Sequence, residues 1–181
     1  MGMEQVFERL ALLFEAINEW LGRMVSWLSL CMVLVTFTVV VLRYAFDLGW
    51  IWLQESVTFM HAALFLVGAA YTLKHQGHVR VDIFYRRFSP RVRAWVDLLG
   101  SLLLLLPVCL FILASSWDYV VQSWALHEGS REAGGLDGVY LLKSLILGMA
   151  VLLVLQGLAM VIRALLQLTS HLPLHSDEAG A

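Results

Sequence analysis

Apolar residues in this chain come in long unbroken blocks, and four of them are long enough to cross a bilayer. A spanning helix needs about 20 mostly apolar residues, because the hydrocarbon core is ~30 Å thick and each helical residue rises ~1.5 Å. The blocks run over about 24–42, 51–73, 98–117 and 144–162. Charged residues bound each one: Arg23 and Arg43, Glu55 and Lys74, Asp97 and Asp118, Lys143 and Arg163. Before the first block the period changes. Met3, Val6, Phe7, Leu10, Phe14, Ile17 and Leu21 recur at helical spacing opposite Glu4, Glu8, Glu15, Asn18 and Glu19, which predicts an amphipathic helix over 1–22. Lipid-surface helices usually carry a basic polar face, so this acidic one points to an interfacial helix lying against protein at least as much as lipid. Its acidic start, with no small-residue cleavage site after a short apolar run, is unlike a cleaved signal peptide. Ser89 followed by Pro90 reads as an N-cap and first helical residue, so the third helix is expected to begin well before its membrane segment. The pattern predicts an all-α membrane protein: the interfacial helix, a four-helix transmembrane domain over 23–166, and a flexible tail over 167–181 containing Pro173 and small polar residues.

Charge sets the expected orientation. The connection between the second and third spans carries Lys74, Arg80, Arg86, Arg87, Arg91 and Arg93, whereas the other two hold Arg43 on one side and Arg131 and Lys143 on the other. Basic short loops stay in the cytoplasm, which puts both termini there and the loops near Asp47 and Glu128 outside. Trp50, Trp52, Trp117, Tyr119 and Trp124 cluster at the outer span ends, as interfacial aromatics do. Glu55 lies near the positive N-terminal end of the second helix and Lys74 at its cytoplasmic end, where a lysine can snorkel. Composition agrees with a bilayer solvent: 60% of residues are hydrophobic and 14% charged, against ~25% charged in soluble domains. A net charge of -2 and a single basic loop give nucleic acid no surface to bind. Cys31 and Cys109 both fall inside apolar blocks without metal-type spacing and read as small packing residues.

Intramembrane ionisable groups usually mark an ion or substrate path, and this chain has almost none. His61 lies within a span, joined by the neutral Gln156 and by Ser115 and Ser116. The plain reading of His61 is a hydrogen bond to a neighbouring helix. A haem-binding membrane anchor of an electron-transfer complex would use His61 with His75 or His78, but those two follow Lys74 at the membrane edge and no other span offers a histidine. An autonomous small transporter would need broken helices facing a midplane site; Pro107 could open one helix, and no matching break accompanies it. Small residues at Ala62, Ala63, Gly68, Ala69 and Ala70, and at Gly148, Gly157 and Ala159, permit close helix approach, within the chain or to a partner. These features describe an accessory subunit and not an enzyme, and they imply no cofactor and no metal.

Three segments then carry a resemblance. Trp52-Leu53-Gln54-Glu55 opens the second span; Gly68-Ala69-Ala70-Tyr71 leads through Lys74 into Gly77-His78-Val79-Arg80-Val81-Asp82; and Trp124 is followed by Glu128, Ser130 and Lys143. In their order and placement relative to four spans, the chain resembles the small membrane subunit (DctQ-like) of tripartite ATP-independent periplasmic transporters. The resemblance implies a bacterial inner-membrane scaffold. Its partners would be a large elevator-type membrane subunit (DctM-like), which moves an organic anion with sodium, and a periplasmic substrate-binding protein. The outer loop reads Gly134-Gly135-Leu136-Asp137-Gly138 where relatives are expected to have a proline after the leucine, which leaves the loop's shape open. Within that loop Glu128 and Lys143 stand nearest the span ends, as if to brace it, whereas Arg131, Glu132 and Asp137 are placed to meet a partner.

Overall fold

A computed structural model of the chain describes residues 3–78, 85 and 87–169; Arg80, Asp82 and the expected tail beyond Thr169 lie outside the described residues. The elements are α1 (Met3–Phe46), α2 (Ile51–Lys74), α3 (Pro90–Gly100), a π-helical turn (Ser101–Leu105), α4 (Leu106–Ala125) and α5 (Val139–Thr169). Four helical units, Met3–Phe46, Ile51–Lys74, Pro90–Ala125 and Val139–Thr169, are long and apolar enough to cross a membrane.

The third unit starts where the sequence places it. Ser89 is extended and its Oγ accepts from the Val92 N–H at 3.5 Å, with Pro90 opening the helix. The π turn was not foreseen, and Pro107 accounts for it. A proline has no N–H to return to the carbonyl four residues back, and in a regular turn its ring presses on that carbonyl. Here the preceding turn is widened, with the Leu106 N–H reaching back to the Ser101 carbonyl. The side chains of Leu105 and Leu106 then lie on the bare backbone of Gly157, where an added Cβ would sit 3.0 and 3.1 Å from their Cδ2 atoms.

α5 is the hub of the bundle. It packs against α1, α2, α3, the π turn and α4, while α1 and α2 form an antiparallel pair. Of its apolar stretch 28% is buried inside the protein, against 0% for that of α1. The buried residues of α5 are mostly small (Ala150, Gly157, Ala159 and Ala164), so neighbouring backbones come close. Cys109 is buried as a packing residue, but Cys31 faces outward from α1. His61 also faces outward, its ring 4.5 Å from that of Phe65 one turn on, so the expected bond to a neighbouring helix is not made within the described residues.

α1 departs most from expectation. Nothing breaks the helix at residue 22, so the amphipathic stretch and the first span are one rod of 44 residues, about 66 Å at ~1.5 Å per residue. The face packed on the bundle mixes small, polar and apolar residues, with Ala11, Asn18 and Gly22 buried and Phe14, Glu15, Ile17, Glu19 and Leu21 half-buried, whereas residues 3–10, apolar and charged alike, are exposed. The Asn18 amide donates to Gln156 Oε1 at 2.9 Å and reaches the Leu152 carbonyl at 3.5 Å. One turn on, Gly22 lies under the Tyr71 ring, whose Cγ and Cδ2 would be 2.3 and 2.4 Å from an added Cβ.

That contact is testable. Gly22→Val forces a side chain against the Tyr71 ring and should lower stability by about 1–3 kcal/mol, the usual cost of overpacking. Gly68→Ala, with nothing within 4 Å of its new Cβ, should be near neutral. Thermal unfolding in mild detergent compares the two. A Gly22→Val midpoint equal to wild type would mean that α1 and α2 do not depend on this approach.

Candidate functional site

Polar side chains gather at the two ends of the bundle. At one end the loop between α4 and α5 folds back over the start of α2. The first amides of a helix have no partners in their own helix. Trp50 occupies the N-cap position of α2 and supplies no side-chain cap; instead the Trp52 N–H donates to the Gly134 carbonyl at 3.2 Å. Glu55, one turn further, accepts from the Leu136 N–H at 2.6 Å and from the Ser130 hydroxyl. The loop closes on itself through Ser130 N–H to the Leu136 carbonyl (3.0 Å), Gly135 N–H to the Glu132 carbonyl (3.0 Å) and Glu132 N–H to Ser130 Oγ (3.1 Å). Two glycines make this possible. Gly134 has φ +80, and an added Cβ on Gly135 would lie 2.4 Å from Ser130 Oγ and 2.6 Å from Glu55 Oε2. Gly138, where a proline was expected nearby, is buried just before α5 and its carbonyl accepts the Leu141 and Leu142 amides, an N-terminal position that glycine suits.

Glu128 joins α4 to α5. Its carboxylate accepts from Ser123 Oγ at 2.7 Å and from the Lys143 ammonium, which lies 3.9 Å above the Tyr119 ring. The Lys143 ammonium, and then the Ser123 hydroxyl, hold the Glu128 carboxyl below the usual carboxylate range. Trp124 adds a second tie, donating from Nε1 to Ser144 Oγ at 2.7 Å and lying edge-on to Tyr140. Arg131, Glu132 and Asp137 are exposed on the outer side of the loop. Trp52 is exposed too, its ring 6.2 Å from and nearly parallel to that of Trp50. Gln54 borders a shallow cleft with Arg43 and Asp47.

At the opposite end Lys74 is no lone anchor. Glu19 of α1 accepts from Lys74 Nζ, from Arg23 Nε and contacts His75 Nε2, each at 2.7 Å. Glu15 receives the Arg163 guanidinium through two bonds, from Nε and from Nη2 (2.5 Å to Oε2). Lys74 and Arg163, which bound the second and fourth spans at this end, therefore pair with acids of α1. Sequence reasoning placed Glu15, Asn18 and Glu19 on one polar face but did not find these pairings; the only signal was that an acidic helix preceded spans ending in bases. His78 is exposed and joins neither group. Among the described residues no three His, Cys, Asp or Glu side chains are grouped to hold a metal.

Residues 32–167 match the family described as tripartite ATP-independent periplasmic transporters, DctQ component. The chain belongs to this family. It is similar to the C4-dicarboxylate TRAP transporter small permease protein DctQ of Vibrio cholerae, with 31% identity over 118 residues, which are 65% of this chain and 49% of that protein. The chain thus spans about half the length of the curated relative it matches. No solved structure matches it. As a DctQ-family chain with four apolar helices it is a multi-pass inner-membrane protein of a transporter-subunit family, which is not an enzyme family. The family match covers the loop and its tie to Glu55, together with Lys74 and Arg163, but begins after their acidic partners on α1.

Two changes probe the loop. Glu55→Gln replaces one carboxylate oxygen with a donor group that faces either the Ser130 hydroxyl or the Leu136 N–H, so deuterium uptake across residues 128–138 should rise while that of α5 stays unchanged. Equal uptake in the variant would remove Glu55 as the loop's anchor. Acid should act separately through Glu128. Because its folded-state carboxyl is depressed below 4.5, the tie to Lys143 is fully present above that value and is lost only as pH falls through the depressed one.

Proposed function

We propose that this chain is the fixed scaffold subunit of a TRAP transporter that imports an organic anion, working with a DctM-like large membrane subunit and a periplasmic substrate-binding protein. Both termini lie in the cytoplasm and the 126–138 loop lies outside, consistent with the basic residues between α2 and α3. The first turns of α1 sit at the cytoplasmic interface, exposed on their apolar and their charged side alike. The large subunit carries substrate and sodium; this chain widens its frame.

The observation that supports this reading is the outward side of α1. Val6, Leu10, Leu13, Trp20, Met24, Trp27, Leu34 and Val41 fall three, four or seven residues apart and are all exposed, while Glu15, Asn18 and Glu19 of the same helix bond to the bundle. Such a stripe needs lipid or another helix beside it along its whole length. At the span ends Lys74, Lys143 and Arg163 are each paired with a carboxylate, and His61 within α2 faces outward, which does not suit a chain that moves an anion alone. At the loop, Arg131, Glu132 and Asp137 form a mixed-charge rim that would steer and orient an arriving binding protein more than hold it.

Co-expression with the large subunit should yield a stable heterodimer in mild detergent, and proteoliposomes should take up substrate only when both membrane subunits and the loaded binding protein are present. Uptake by the large subunit alone, at equal amount, would sink the scaffold role. A labelling experiment tests orientation and docking together. Gly135 is too crowded for a probe, so cysteine is placed at the exposed Ala133 and Arg87. An impermeant maleimide should reach Ala133→Cys from the periplasm and miss Arg87→Cys, and loaded binding protein should slow labelling at 133. The reverse accessibility overturns the orientation; a rate unchanged by the binding protein overturns docking at the loop.

A further inference from the structure

The end of the bundle that carries Lys74 and Arg163 contains two adjoining cavities between α2 and α3, floored by α5. The first, about 290 Å³, is polar: Lys74 and Arg163 face it together with Glu15, Asp97, Gln76 and Gln167. The second, about 280 Å³, is apolar, bordered by Val96, Gly100, Ser101 and Leu105. They share Leu73, Asp97 and Met160 as walls, so they form one groove that is polar at one end and apolar at the other. The Gln167 amide donates to the Pro90 carbonyl at 3.3 Å and closes its polar end. The polar end is level with the ends of the second and fourth spans, and the apolar end runs along the start of the third. That order, charge at the membrane edge and methylenes deeper, is the order of groups in a lipid.

We propose that this groove binds one phospholipid with a zwitterionic, hydrogen-bond-donating headgroup of the phosphatidylethanolamine type. Its polar end presents two cationic and two anionic side chains, so a headgroup bearing one charge of each sign keeps it balanced. Arg163 uses Nε and Nη2 on Glu15, and Lys74 bonds to Glu19, which leaves Nη1 and further ammonium hydrogens for a phosphate. Asp97 accepts the Tyr85 hydroxyl on Oδ2 at 2.6 Å and can take a primary ammonium on its other oxygen. An anionic headgroup would add an unbalanced charge, and a choline could not donate to Asp97. The acyl chain lies along Gly100, whose missing side chain leaves the apolar end open: nothing stands within 4 Å of an added Cβ there. This inference does not depend on the scaffold role.

Native mass spectrometry of the full chain, delipidated in mild detergent and given dioleoyl phosphatidylethanolamine, phosphatidylcholine or phosphatidylglycerol, tests it. The ethanolamine lipid should be retained as a single copy under activation that strips the other two. Gly100→Leu, which fills the apolar end without meeting a neighbour, should lower that retention by roughly tenfold, the change expected for ~1.4 kcal/mol. Gly148→Leu, an equally open helical glycine away from the groove, should leave it unchanged. Asp97→Asn should shift the preference toward phosphatidylglycerol. Retention unaffected by Gly100→Leu, or reduced as much by Gly148→Leu, overturns the site. A preference that Asp97→Asn does not move, or glycerol lipid held as well as ethanolamine lipid by wild type, overturns the headgroup assignment.

Discussion

Helices in a bilayer gain nothing by hiding apolar side chains from each other, because lipid tails are as apolar as leucine. The rest of this structure follows from that constraint. Attraction must come from close van der Waals packing and from polar groups with no better partner than one another, and α5 supplies both. Its alanines and Gly157 let α1, α2 and the third unit approach, and Gln156 offers the amide that Asn18 meets. Even so one atom is left over: Asn18 Oδ1 is buried without a partner among the described residues. An unsatisfied buried acceptor costs about 1–3 kcal/mol. The pair therefore serves register more than net stability, since a slip of one turn would strand both amides.

The same constraint explains how α1 packs. In water an amphipathic helix buries its apolar face; here Glu15, Asn18 and Glu19 are turned to the bundle as well, where the two glutamates find Arg163, Lys74 and His75. Charges at span ends are spared the full cost of hydrocarbon and still gain from pairing at short range. The exposed apolar side chains from Leu13 to Val41 are then left facing lipid or another helix.

The loop at the other end is built differently, as a cap. Gly134 and Gly135 bring backbone carbonyl and amide groups onto the first turns of α2, and Glu55 and Glu128 hold it from either side, one to α2 and one to α5 through Lys143. A loop already ordered in the free subunit loses less entropy when a partner arrives. Arg131, Glu132 and Asp137 therefore stand on a shaped platform and not on a loose tether.

The sequence by itself determined four helices apolar and long enough to cross a bilayer and the start of α3 at Ser89 and Pro90, because bilayer thickness and cap chemistry act over a few residues. It also determined the family, through short segments around Trp52, Lys74 and Glu128. The tertiary structure alone decided the pairings. Glu19 meets Lys74 across 55 residues, Asn18 meets Gln156 across 138, and the Gly134 carbonyl serves a helix that ended sixty residues earlier in the chain. Helical periodicity says which side chains share a face, but in a membrane either face can turn inward, since apolar character no longer separates inside from outside. Which face α1 gives to the bundle is settled only where Glu15 and Glu19 reach their bases on α5 and α2.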